Sequence, residues 1–163
     1  MKKKNFSLLL LLGFLSITPL PAVAQLTCTG PSIDRKTFSF SPPLWEKVGP
    51  DNWENADHSA QIRLTTHPAT SLLTLKKYAK EFPANLKADG VQVTDKKETK
   101  IGNCDTFMLE GKQKVGKEIS RIKSVSIFGG ETLYYFTLIA NNDVFKESKL
   151  CLDSVIKSFQ QKN

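Results

Sequence analysis

Glu54, Asp57 and His58 fall within five positions of one polar stretch, and His67 follows it. Carboxylate oxygens and imidazole nitrogens are the donors that hold divalent cations. Their spacing matches no established metal motif, so the residues read as a solvated loop, with no metal and no cofactor. Nucleophilic catalysis needs a nucleophile and a base within hydrogen-bond reach. Serines and threonines are plentiful, but only His58 and His67 could act as an imidazole base near neutral pH. The sequence has no G-x-S-x-G elbow, and no pair of carboxylates has a distinctive context. No catalytic residue is assigned, and the chain is read as a non-enzyme. Trp45 and Trp53 flank the same stretch. A tryptophan gives much contact area at small entropic cost, which suits an exposed binding loop. Either ring could instead cap the core beside the first strand. The candidate partner surface is therefore the loop of residues 49–58, with Trp45, Trp53, Glu54, Asp57 and His58.

The second group with chemistry to offer is Cys28, Cys104 and Cys151. Three thiols allow one disulfide and one leftover. Cys151 shares an apolar helical face with Val144, Val155 and Phe159, and Cys104 opens a strand that this helix should cover. The expected pair is Cys104–Cys151, with Cys28 left over. Cys28 could instead pair with either, and each cysteine could be a buried, inert thiol. Neither C-x-x-C nor a Cys/His cluster occurs, so no structural zinc is expected.

The compartment bears on these thiols. Lys2, Lys3 and Lys4 precede an apolar run from Leu8 to Leu15, Pro19 and Pro21 break it, and Ala22-Val23-Ala24 follows. A basic start, a short apolar centre and an A-x-A ending make a secretory signal peptide, residues 1–24, cleaved after Ala24. The run is too short for a membrane-spanning helix of roughly 20 residues, so no stable membrane anchor is expected after cleavage. Gln25 stands three places before Cys28, where a lipoprotein modified at that cysteine would need an apolar residue. The mature chain is expected in the periplasm or outside the cell, where disulfides persist. Cleavage lowers the formal charge from +7 to +4, because three lysines leave and no acid does. No clustered basic stripe of the kind that binds nucleic acid remains.

Residues 25–163 are expected to form one domain. Phe38 and Phe40 alternate with serines in residues 37–41, a first strand ended by Pro42-Pro43. Ala60, Ile62 and Leu64 alternate with polar residues as a second strand, which His67-Pro68 should stop. Thr70 or Ser71 is placed to cap a helix carrying Leu72, Leu75, Ala79, Phe82 and Leu86 on one stripe. Pro83 predicts a kink or an early end near Phe82. A strand from Val91 turns polar, as an edge strand does. A turn at Ile101-Gly102-Asn103 leads into a strand over residues 104–111. A lysine-rich connection follows over residues 111–116, then a strand over 118–128 whose imperfect alternation suggests a bulge. Residues 132–140 are apolar on both faces, which marks a central strand covered from both sides. Asn141-Asn142 could cap a last helix whose buried stripe is Val144, Ser148, Cys151, Leu152, Val155, Ile156 and Phe159.

Several of these features resemble the PsbP/DcrB-like superfamily of small exported α/β proteins. A phenylalanine-bearing strand, then prolines, then Trp45 is similar to the family's opening. The Gly102-Asn103 turn, and the ending Phe145-(x6)-Leu152-Asp153-(x2)-Ile156-(x2)-Phe159, resemble its hairpins and closing helix. The resemblance runs from Phe38 to Phe159. It implies an α+β fold, an antiparallel β-sheet of about six strands packed between helices as an α/β/α sandwich. Branches of the superfamily include photosystem II subunits, a Ran-binding transport factor, envelope proteins and toxin chaperones, so fold does not carry function, and no functional residue is carried over. The expected role is an exported, non-catalytic accessory protein that binds a protein partner in the cell envelope. The alternative is an immunity or inhibitor protein that neutralises an exported toxin. A small hydrolase is the least favoured reading.

Overall fold

The computed structural model describes residues 28–70 and 73–162. The expected leader at residues 1–24 and the positions of Ser71 and Leu72 lie outside them. Along the chain the elements are β1 (Ile33–Asp34), β2 (Phe38–Phe40), β3 (Glu46–Gly49), β4 (Asn52–Glu54), β5 (Ala60–Pro68), α1 (Leu75–Ala88), β6 (Gln92–Ile101), β7 (Cys104–Val115), β8 (Glu118–Gly129), β9 (Thr132–Asn141), α2 (Phe145–Lys157) and β10 (Gln160–Gln161).

Apolar residues on both faces of residues 132–141 call for a strand with neighbours on each side and cover above and below. β9 has both. It is the middle strand of a seven-stranded antiparallel sheet ordered β3-β4-β5-β9-β8-β7-β6. Tyr134, Phe136 and Leu138 face α2, and Leu152, Val155 and Ile156 meet them in one core. Phe38 and Phe40 enter the same core from β2, which pairs with β1 and β10 in a separate three-stranded sheet. The rings interlock: Phe38 lies 4.8 Å from Tyr134, and Phe40 meets Phe136 edge-on at 5.7 Å. Gly129 lets β10 close this layer, because a Cβ there would sit 2.6 Å from Tyr134 and 3.2 Å from Gln161. On the opposite face Tyr78 and Phe82 of α1 stack at 4.9 Å and point edge-on at Phe107, Phe128 and Tyr135. The Tyr78 hydroxyl pairs with Ser126 Oγ at 2.9 Å, and burial raises its pKa to about 12.

The α+β architecture with helices on both faces is the one expected, but the first strand is placed differently. β2 belongs to the small second sheet, and the main sheet gains β3 and β4 from a segment read as loop. β5 runs through His67 to Pro68, because the edge of β9 continues opposite it as far as Thr132. Thr74 rather than Thr70 caps α1, its hydroxyl accepting from Lys77 N at 3.3 Å. α1 continues past Pro83 to Ala88. The proline removes one helical hydrogen bond, yet the helix continues and Pro83 is itself buried. β7 extends to Val115, which shortens the connection to a tight turn. β8 pairs without a register shift on either side; the irregularity lies in the charged edge strand β6, between Val93 and Asp95. The N-cap of α2 is Val144, with no side-chain cap from Asn141 or Asn142.

The two helices are offset across the sheet. α1 packs on β6 and β7, whereas α2 packs on β9 and β5. Each face therefore has one less covered end. Beyond α1 that end presents Gln61, Arg63 and Thr65 of β5, which water solvates. Beyond α2 it presents Ile101 and Met108, which water does not. Long charged side chains span part of that second gap. Lys123 of β8 pairs with Asp153, and Glu110 of β7 pairs with Lys149 and, at 3.9 Å, with Arg121. The Arg121 guanidinium also lies 4.5 Å above the Phe145 ring.

Candidate functional site

The predicted partner loop is two short strands and a tight turn. β4 is three residues long, and its alternation sends Asn52 and Glu54 one way and Trp53 the other. Trp53 pairs with Ile62 across β4 and β5, so its ring enters the core, 3% exposed and edge-on to Phe40 at 5.8 Å. It is a core residue, not an exposed anchor. Trp45 is half-buried and packs against the same core. The signal that could have placed Trp53 is short: Asn52-Trp53-Glu54 repeats the polar–apolar–polar order of Gln61-Ile62-Arg63.

Glu54, Asp57 and His58 do come together, at the tip joining β4 to β5. His58 occupies the left-handed region, with φ of 57°, which closes the turn. Its Nδ1 lies 2.8 Å from Glu54 Oε2, and Gln61 Nε2 donates to Glu54 Oε1 at 2.7 Å. Asp57 Oδ1 accepts from Ser59 N at 3.1 Å and from Ser59 Oγ at 2.6 Å. Asn55 Oδ1 accepts from Ala60 N at 2.8 Å. These bonds move the charges. The hydrogen bond from His58 and that from Gln61 hold Glu54 below its ordinary carboxylate range. The hydrogen bond to Glu54, then its charge, raises His58. Ser59 lowers Asp57.

The arrangement leaves little for a ligand. Each carboxylate is occupied by the turn's own donors, and Ser59 Oγ donates to Asp57 rather than to an imidazole. Among the described residues no group of three His, Cys, Asp or Glu side chains could hold a metal ion. His67 does not join the cluster. It lies near the other end of β5, opposite Leu133, which puts it roughly 25 Å from the tip at the usual strand rise.

The cysteines are also arranged differently. The described chain holds three free thiols. Cys104 Sγ donates to Gln161 Oε1 at 2.8 Å, because β10 crosses the start of β7. Cys151 turns instead toward Cys28, donating to its carbonyl oxygen at 3.3 Å. The expected Cys104–Cys151 bond is absent, since the two sulfurs are engaged by different parts of the chain.

A site that sequence reasoning missed lies at the less covered end beyond α2. A cleft of about 1010 Å³ is lined by Ile101, Met108, Leu150 and Ile156, with Cys28 and Thr29 on one side and Glu147, Asp153 and Lys157 among its polar residues. Leu150 is 62% exposed. Its signal was present: within α2 it is a leucine that falls off the buried stripe. Ile101 and Met108 gave no such signal, because only the offset of the helices leaves their side of the sheet open.

No protein-family model matches the sequence, and no curated protein matches it either. Solved structures do match in shape. The cyanobacterial PsbP protein CyanoP of Synechocystis sp. PCC 6803 superposes with a TM-score of 0.63 at 14% identity, covering 89% of this chain and all of that one. The Ran-binding protein Mog1p of Saccharomyces cerevisiae gives 0.54 at 9% identity, over 80% of this chain and 94% of that one. LpqN of Mycobacterium tuberculosis, described as involved in cell envelope biogenesis, gives 0.52 at 14% identity, over 77% of this chain and 72% of that one. At such identities the likeness speaks for the fold alone. The chain has the fold of the PsbP/DcrB-like superfamily, as the motifs at both ends of the domain imply.

Proposed function

We propose that this chain is an exported, non-catalytic accessory protein of the cell envelope that binds a protein partner through the cleft beside α2. The observation that carries the reading is Leu150, standing in water at the mouth of a cleft lined by Ile101, Met108 and Ile156. Apolar surface gathered in a concave site is where contact with a partner gains most from leaving water. The occupant that fits is an apolar side chain on a protein segment, with Glu147 and Lys157 placed to meet polar groups around it. Non-catalysis is supported by the tip, where Glu54, Asp57 and His58 bond to their own turn. Export is supported by the leader-like residues 1–24. A Ran-binding protein and a protein of cell envelope biogenesis share the fold, which agrees with binding as its use.

The test is photo-cross-linking in the cells that make the protein, with a photoreactive residue at position 150 or at position 58. One discrete adduct from position 150 and none from position 58 is expected. Adducts from position 58 alone, or from neither, would overturn the cleft assignment. A toxin as the captured partner would convert the reading to the immunity alternative. Cell fractionation with N-terminal sequencing checks export: a mature chain beginning at Gln25 is expected, and an intact Met1 in the cytosol would refute it.

A further inference from the structure

Cys28 lies on a fixed piece of main chain. Its carbonyl accepts from Leu44 N at 2.8 Å, Thr29 bridges Pro43, and Gly30 N donates to Pro42 O at 2.8 Å. Cys151 is equally fixed, 1% exposed in the middle of the α2 stripe. Its sulfur lies 3.3 Å from the carbonyl oxygen of Cys28 itself, so its side chain points at that residue. A disulfide demands Cα atoms within about 7 Å and side chains that face each other. The Cys151 sulfur already lies against the Cys28 main chain, the approach that a bond between the two requires. Cys104 has no such neighbour, since its thiol is committed to Gln161.

We propose that Cys28 and Cys151 form an intramolecular disulfide in the mature protein, and that Cys104 remains a thiol. The oxidant is a disulfide, either a small molecule such as oxidised glutathione or a protein that donates its own bond. Cys28 is half-buried on the side of the cleft, so it is the sulfur an oxidant reaches. Its thiolate attacks the oxidant's disulfide, forming a mixed disulfide and expelling one thiolate. Cys151 then gives up its proton and attacks the Cys28 sulfur, expelling the second. The protein loses two electrons and two protons, and the oxidant becomes two thiols. Burial and the neighbouring Cys28 thiol push the Cys151 thiol well above its ordinary pKa, which makes the second attack the slow one.

The bond would tie the chain ahead of β1 to α2 and fix one wall of the cleft. Its formation in the cell rests on the export reading, because an oxidising compartment is needed; its pairing does not. The experiment oxidises the purified full chain with oxidised glutathione, alkylates the remaining thiols, and maps unreduced peptides by mass spectrometry. A Cys28–Cys151 linked peptide, lighter by two hydrogens, with Cys104 alkylated, is expected. A linked peptide containing Cys104, a link between two chains, or three alkylated cysteines would overturn the proposal. Oxidation should also raise Tm by roughly 10 °C. The rise should persist in Cys104→Ser and vanish in Cys28→Ser; the reverse pattern would contradict the pairing. If the linked peptide forms in vitro while protein taken from cells keeps three free thiols, the pairing stands and the export reading fails.

Discussion

The tip between β4 and β5 and the cleft beside α2 are both surface features, and they are opposite in kind. At the tip, Glu54, Asp57 and His58 are charged and close together, yet each is held by the turn's own donors. In the cleft, Glu147, Asp153 and Lys157 stand around an apolar lining, and Leu150 is left exposed to water. A dense polar cluster attracts attention in a sequence because chemistry needs polar groups. Once those groups bond to one another, the cluster serves the turn. The free energy available for binding lies where the fold leaves apolar surface uncovered.

The comparison can be broken first at Trp53. If it is core, Trp53→Ala costs about 3–5 kcal/mol in urea unfolding. A cost near zero would return Trp53 to the surface and revive the tip as a binding loop. Next comes the charged bridge above the cleft. Lys123 is 6% exposed and relies on Asp153. Asp153→Ala should destabilise by about 2 kcal/mol, less than for a fully buried pair because the Asp153 carboxylate is about a third exposed. An unchanged urea midpoint would show that α2 does not depend on this pair. Leu150→Ala should change stability by no more than about 0.5 kcal/mol, as exposed substitutions do. A larger loss would mean that Leu150 is packing and not contact surface.

The smallest effect belongs to the tip. Glu54 raises the pKa of His58, so the pair's contribution is full below the unfolded histidine value of about 6.5 and is lost as pH rises through the higher folded value. Glu54 is lowered, so its contribution is present above its unfolded value and is lost as pH falls through the folded one. The ion pair therefore stabilises most between about pH 4.5 and 6.5. An NMR titration of His58 should give a midpoint above 6.5, returning toward that value in Glu54→Gln. A midpoint that ignores the substitution would show the bond to be absent in solution.

What the sequence made legible follows from periodicity over long elements. β9 announces its central place by carrying apolar residues on both faces, and α2 shows a continuous stripe. Both features survive because many residues repeat one signal. Trp53 was not legible because β4 is too short to display alternation, and its side is set by pairing with Ile62, which only the assembled sheet supplies. The two-residue strands β1 and β10 are invisible for the same reason. The cleft depends on β9 lying between β5 and β8, which carries α2 away from β6 and β7. That is a fact of topology, and no local run of residues encodes it. The thiols show the same limit. Helical spacing put Cys151 on the buried face correctly, but which cysteine it meets was decided by the path of residues 28–44 past α2.

The most direct test of the account compares partner affinity across the two regions, using the protein captured from position 150. Leu150→Asp should weaken binding by at least about tenfold, the effect of removing a central apolar contact. The double variant Glu54→Gln with His58→Ala should bind within about twofold of the parent, as substitutions outside an interface do. Binding lost in the tip variant and kept in Leu150→Asp would contradict the account and return function to the polar turn.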